Sequence, residues 1–112
     1  MAFGIKTNPP KPVKGYIRRE EKRVACECWF TSTGRVMPLM LKIEDESGEI
    51  QTVREIWVHS QEKKRYAGIL SMEFDCTLCV RNRKVRGWLI YYQEENRWGW
   101  SFSGYHSGAN IC

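Results

Sequence analysis

The sequence lacks the features that would place the chain in a membrane or in an export pathway. No apolar run approaches the roughly 20 residues that a membrane-spanning helix needs, so we expect no membrane association. Residues 1–6 contain no apolar stretch of the kind that signal peptides carry. The five cysteines are odd in number and come without an export signal, which predicts free thiols in a reducing cytoplasm.

Motifs for catalysis are missing as well. The two histidines, His59 and His106, have no partner residues at a diagnostic spacing, and residues 44–46 fit an acidic turn better than an acid/base pair. No nucleophile elbow, phosphate-binding glycine loop or zinc-protease helix motif occurs. We therefore expect no enzyme, no catalytic residue and no cofactor. A Cys–His dyad is the one catalytic alternative that the sequence leaves open.

What the chain does have is enough material for one domain. Its 112 residues are enough to bury roughly 65% of the unfolded surface. Positive charge is concentrated at the start: residues 1–23 hold seven basic and two acidic residues, whereas the remainder holds eleven of each. The net charge of +5 therefore belongs to a proline-containing N-terminal arm, which we expect to be extended.

Period-two alternation of apolar residues begins at Val24 and predicts an all-β fold. We expect about six strands in an antiparallel meander that forms a small barrel or a strongly bent sheet. The predicted β domain spans 24–104, after the arm over 1–23 and before a loose tail over 105–112. The predicted strands cover residues 24–30, 37–44, 51–58, 72–80, 84–93 and 97–103.

Two stretches carry a resemblance to known sequences. The first reads Trp-Phe-Thr-Ser-Thr-Gly-Arg-Val-Met-Pro-Leu over 29–39, and the second reads Glu-Glu-Asn-Arg-Trp over 94–98. With the strand-and-turn layout of 26–100, they resemble small uncharacterised all-β proteins found widely in Gram-positive bacterial genomes, often near mobile elements. The resemblance implies a bacterial or phage accessory protein. It implies no known activity and no catalytic residues.

Four cysteines have a spacing that raises the question of a metal site. Cys26-x-Cys28 and Cys76-x-x-Cys79 supply four thiols in two pairs, and Zn²⁺ is commonly held by four thiolates. On a strand, however, Cys76 and Cys79 point to opposite faces. We therefore interpret Cys26, Cys28 and Cys76 as small core residues and predict no metal, with a zinc site as the alternative.

Aromatic residues alternate on the last predicted strand, where Trp98, Trp100 and Phe102 share one face. They could stack nucleic-acid bases at about 1–3 kcal/mol per base, or they could fill the interior of a small barrel. We favour the core, because exposed apolar patches of that size are rare on monomers. Trp29 lies opposite the face of Cys28 and is the aromatic residue that we expect to be exposed.

Basic residues cluster on both sides of the predicted fourth strand. One cluster lies in 59–70, which we expect to be the longest loop and therefore a functional one, and another surrounds a tight turn at 81–83. If these clusters converge, they form a phosphate-tracking surface; the alternative is a solvated surface that protects sheet edges. The predicted nucleic-acid-binding residues are Trp29, Lys63, Lys64, Arg65, Arg81, Arg83, Lys84 and Arg86.

The features together predict a non-catalytic binding module. One interpretation is association with nucleic acid through the basic loops and the arm. The other is a protein-binding accessory or inhibitor protein of a bacterial or phage mobile element. Such a protein would dock through an exposed sheet edge, or through Trp29 and the long loop. The identity of the partner and the oligomeric state are open at this point.

Overall fold

The chain forms seven strands in a computed structural model that describes residues 20–103 and 111–112. The predicted all-β fold class is confirmed, and the described residues contain one helical element, a 3₁₀ turn at Gln93–Glu95. The strands are β1 (Lys22–Phe30), β2 (Val36–Glu44), β3 (Ile50–Val53), β4 (Ile56–Tyr66), β5 (Ile69–Val80), β6 (Arg83–Tyr92) and β7 (Arg97–Phe102).

All seven strands belong to one antiparallel sheet, in the order β3-β2-β1-β7-β6-β5-β4. Strands β3 and β4 lie at opposite ends of this order, yet only Arg54 and Glu55 separate them in sequence. The sheet must therefore curl until its two edges approach each other. The result is a half-barrel, and the backbone N–H of Cys79 donates to the Glu55 carbonyl oxygen at 3.2 Å, which extends the β4–β5 pairing into the crossing segment.

The core lies on the concave face of the half-barrel. Trp100, Phe74 and Leu89 are fully buried there. The prediction that Trp98 and Trp100 belong to the core is confirmed, whereas Phe102 at the end of β7 is 43% exposed. Burial of such large side chains contributes about 1.5–3 kcal/mol for each, which makes this face the main source of stability.

The prediction of a long loop over 59–70 is wrong. Strand β4 continues to Tyr66, and a two-residue turn of Ala67 and Gly68 leads directly into β5. Both turn residues have positive φ, at 53° and 84°, as the hairpin turn with the correct twist requires. The side chains of 59–65 are polar and exposed, so no alternation marks the strand; its pairing with β5 defines it.

The predicted third strand over 51–58 is divided in two. Strand β3 ends at Val53 and β4 begins at Ile56, because the chain crosses from one edge of the sheet to the other at Arg54–Glu55. This division accounts for seven strands where about six are predicted. The tight turn after β5 is confirmed, since Arg81 and Asn82 have φ values of 53° and 63°.

The expectation of five free thiols is wrong. Cys79 on β5 forms a disulfide with Cys112, and Cys26, Cys28 and Cys76 are the free cysteines. Disulfides persist in oxidising compartments, so the cysteines no longer support the cytoplasmic expectation.

Part of the predicted tail is also tied to the sheet, because Ile111 bridges to Arg83. The arm over 1–19 and the tail over 104–110 lie outside the described residues, and the last residues of the predicted arm, Lys22 and Arg23, belong to β1.

Candidate binding surfaces

The two predicted basic clusters lie at opposite ends of β5. Lys64 pairs with Ser71 on one end, whereas Arg83 pairs with Val80 on the other. Nine residues of extended strand separate these positions, which corresponds to about 30 Å. The clusters therefore do not converge on one surface, and the 63–65 cluster lies on an edge strand instead of a loop.

Three of the seven predicted basic residues are engaged by carboxylates. Arg86 donates to both oxygens of Asp75, at 2.9 and 3.0 Å, and Lys64 lies 3.6 Å from Glu73. Arg81 lies 2.5 Å from Asp45. Within the described part of the chain, the remaining four form no ion pair, and these are Lys63, Arg65, Arg83 and Lys84.

Asp45 accepts the hydrogen bonds that stabilise the β2–β3 turn, and it also forms the ion pair with Arg81. Its carboxylate accepts the Ser47 hydroxyl at 2.7 Å and the backbone N–H groups of Ser47 and Glu49 at 2.9 Å. The Gln51 amide donates to the other oxygen at 2.9 Å. These donors, with the Ser47 hydroxyl first, hold the pKa of Asp45 well below its usual value. Arg81 is therefore part of a structural network.

We expect Asp45→Asn to remove a pH-dependent part of the stability. Because the pKa of Asp45 is lowered in the folded state, its contribution is present above the unfolded-state value of 3.8 and is lost as pH falls below it. The difference in free energy of unfolding between wild type and variant should shrink as pH falls from about 5 to about 2. Urea unfolding measures this difference in free energy. Glu46→Gln, in the same turn, is the control for the loss of one negative charge. A difference that is constant with pH would contradict this role.

Trp29 is exposed, as predicted. It is 65% exposed near the tip of the β1–β2 hairpin, and its cross-strand partner Met37 is 47% exposed. The pairing register shifts at this point, and Leu39, which has no cross-strand partner in the register, is 38% exposed. We call Trp29, Met37 and Leu39 the hairpin patch. The sequence predicted the exposure of Trp29. It did not predict the exposure of Met37 and Leu39, because both residues alternate along β2 like core positions.

His59 contacts the hydroxyl group of Thr77, and the sequence did not predict this contact. Its Nε2 lies 2.7 Å from Thr77 Oγ1 on the neighbouring strand. The nearby Asp75 does not complete a triad, because Arg86 binds both of its oxygens; the same contacts lower the pKa of Asp75. A histidine and hydroxyl on an exposed sheet face, without an orienting acid, do not match the geometry that activates a nucleophile.

The three free thiols pack against the core. Burial raises the pKa of Cys26 and of Cys76 to about 12, and it also raises the pKa of Cys28. Burial therefore disfavours the reactive thiolate form of each of these cysteines near neutral pH. The four-thiol zinc alternative is wrong because Cys79 is bonded to Cys112. No group of three or more His, Cys, Asp or Glu side chains among the described residues is placed to hold a metal ion.

A cavity of about 740 Å³ opens at the mouth of the half-barrel where β1 and β6 begin and β5 and β7 end. We call it the mouth cavity. Its walls are mainly apolar, and they include Ile43, Leu78, Val80, Val85, Trp100 and Phe102. Sequence reasoning assigned these residues only to strands, because a core position and a cavity wall have the same alternating pattern.

Trp100 carries a polar group that is closed off from the mouth cavity, because its Nε1 has almost no accessible surface. The residue is fully buried, and its Nε1 has no hydrogen-bond partner among the described residues. A buried donor without an acceptor costs about 1–3 kcal/mol. Gly87 permits this placement, because a side-chain Cβ there would lie 2.5 Å from Cζ2 of the indole.

The comparisons with known proteins provide no relative. No family model, no curated protein and no solved structure matches the chain. Among the described residues there is also no helix with the length and apolarity needed to cross a bilayer. The functional proposal therefore depends on the chain's own surfaces.

Proposed function

We propose that this chain is a non-catalytic binding module that binds a protein partner through the hairpin patch. The supporting observation is the exposure of Trp29 and Met37 opposite each other on the convex face. Tryptophan and methionine are enriched at protein interfaces, and a central tryptophan is a frequent source of binding energy. An accessory or inhibitor role in a bacterial or phage mobile element, implied by the resemblance, belongs to the same proposal.

The free sheet edge is a weaker docking site than the hairpin patch. Strand β4 is an edge strand of eleven residues, which in principle could pair with an extended segment of a partner. However, its register shifts between Val58 and Ser60, and Lys63, Lys64 and Arg65 follow on the same strand. Bulges and edge cations are the devices by which proteins prevent such pairing.

A photocrosslinking experiment tests the hairpin patch. A benzophenone amino acid placed at Trp29 should form an adduct with one discrete protein in the source cells, and nuclease treatment should not release it. The same probe at Trp57, a second tryptophan that is 45% exposed but lies on β4, is the matched control. Equal labelling from both positions, or adducts that consist of nucleic acid, would contradict a protein-binding patch.

Substitution of Trp29 should separate binding from folding. Because the side chain is largely exposed, we expect Trp29→Ala to change the free energy of unfolding by less than about 0.5 kcal/mol. The loss of an interface tryptophan should weaken partner binding by about 2 kcal/mol or more, roughly thirtyfold. Calorimetry with the captured partner and urea unfolding measure the two effects. A variant that binds normally would remove Trp29 from the interface.

Nucleic-acid association is the second candidate. It is supported by four predicted cations that lack carboxylate partners within the described part of the chain, and by the positive charge of 1–23. Against it, residues 20–103 contain thirteen basic and thirteen acidic residues. If this candidate is correct, fluorescence titration should detect oligonucleotide binding that weakens with salt and that Lys63→Glu reduces. No binding at low salt would exclude it.

A further inference from the structure

We propose that a second cavity, which lies between the β1–β2 turn and β4, binds a small organic phosphate. We call it the gap cavity. Its volume is about 270 Å³, somewhat below that of sites for drug-sized molecules, and therefore suits a small ligand. The inference goes beyond the protein-binding proposal, because no residue of the hairpin patch lines this cavity.

Two cations from distant parts of the sequence meet at the gap cavity. Arg35 comes from the β1–β2 turn and Lys63 from β4, and both residues line the cavity. Strands β2 and β4 are far apart in the sheet order, so the curl of the sheet brings these residues together. Neither residue forms an ion pair with any carboxylate among residues 20–103 and 111–112. Two positive charges that repel each other in one cavity favour a bound anion.

The backbone on both sides of the gap cavity is held in place before a ligand arrives. The Arg35 N–H donates to Thr31 Oγ1 at 3.0 Å, and the Arg35 carbonyl oxygen accepts the Thr31 N–H at 2.9 Å. Gly34 closes this turn with a positive φ of 86°. On the opposite side, Lys63 pairs with Met72 in the β4–β5 ladder. Binding therefore requires the ordering of two side chains and no rearrangement of the backbone, which lowers its entropic cost.

One acidic residue, Glu62, also lines the gap cavity. It lies between Gln61 and Lys63 on β4, and successive side chains of a strand point to opposite faces. Gln61 pairs with Phe74, which is fully buried on the concave face, so Gln61 and Lys63 share that face. The Glu62 side chain leaves β4 on the convex face, away from the two groups that face the ligand. The Gln61 amide adds a neutral donor beside Lys63.

Charge and the apolar part of the wall define the ligand class. A phosphate monoester carries a charge of about −1.5 to −2 at pH 7, which matches two cations better than a singly charged carboxylate or phosphodiester does. A guanidinium group binds two phosphate oxygens at once, as Arg35 could here. Val36 is buried and Met72 half-buried in the same wall, and they offer apolar contacts. The ligand is therefore a phosphate monoester with a small apolar substituent.

Two probes of nearly equal shape isolate the effect of charge. At pH 8 phenyl phosphate carries two negative charges, whereas phenyl sulfate carries one. In calorimetry at low salt, we expect the phosphate to bind the full chain about tenfold more tightly, the gain of one stronger charge-assisted contact. At pH 5, below its second pKa of about 6, the phosphate is also a monoanion, and the two probes should bind with equal affinity.

Three variants assign the binding to the gap cavity. Arg35→Gln and Lys63→Gln each remove one cation, and each should weaken the binding of phenyl phosphate by at least about tenfold. Lys64→Gln is the matched control and should bind normally, because Lys64 is the next residue on β4 and lies 3.6 Å from Glu73. All three substituted side chains are exposed, so we expect the variants to fold.

Three results would overturn the proposal. The first is a failure of the wild type to bind phenyl phosphate, or equal affinity for the two probes at pH 8. The second is a loss of affinity in Lys64→Gln as large as that in Lys63→Gln. The third is a single-stranded oligonucleotide that binds more tightly than phenyl phosphate and displaces it, because Lys63 would then belong to a nucleic-acid surface.

Discussion

Gly87→Ala is expected to destabilise the fold by about 3 kcal/mol. A Cβ at this position would lie 2.5 Å from Cζ2 of Trp100 and even closer to the backbone oxygen of Ser101. Neither group can move away easily. The indole is fully buried, and β7 is held to β6 by the pairing of Ser101 with Trp88 and of Phe102 with Gly87. The added methyl group therefore forces two paired strands apart.

Gly99→Ala is the matched control for this substitution. Gly99 lies on the neighbouring strand β7, and a Cβ there would meet the end of the Glu21 side chain instead of the backbone. That carboxylate can rotate away at the loss of its hydrogen bond from Tyr92 Oη, which is 2.6 Å long. We expect a cost of about 1 kcal/mol, and urea unfolding should place Gly99→Ala clearly between wild type and Gly87→Ala. Equal midpoints for both variants would contradict the packing of Trp100 against Gly87.

Removal of the disulfide should have an effect of similar size. Cys79 and Cys112 are 33 residues apart in sequence, and the chain-entropy model assigns about 3–4 kcal/mol to closure of a loop of that length. We therefore expect Cys112→Ser to lower the free energy of unfolding by this amount. Reduction of the wild type should produce the same decrease, whereas the variant should not respond to reductant.

A thiol count and a second variant make the disulfide prediction specific. Under denaturing, non-reducing conditions the wild type should expose three thiols, from Cys26, Cys28 and Cys76. Cys28→Ser removes a half-buried free cysteine and should preserve the response to reductant. Five reactive thiols, or a stability that reductant does not change, would show that the Cys79–Cys112 bond is absent in solution.

Local features of the sequence predicted the local structure well. The alternation of Leu41 and Ile43 on β2 and of Phe74, Cys76 and Leu78 on β5 matches their burial. The turn at Asn82 was predictable because asparagine tolerates positive φ, and Asn82 adopts it. Prediction failed at 59–65, because an edge strand exposed on both faces has no apolar alternation to reveal it.

By itself, the sequence determined the all-β fold class, the inward positions of Trp98 and Trp100, the exposure of Trp29 and the concentration of positive charge before residue 24. These properties depend on neighbouring residues and on a two-residue period. Only the tertiary structure decided the crossing from β3 to β4, the Cys79–Cys112 bond, the separation of the basic clusters and, among the described residues, the lack of a partner for Trp100 Nε1. Each of these depends on which distant strands become neighbours when the sheet curls, and no local pattern encodes that choice.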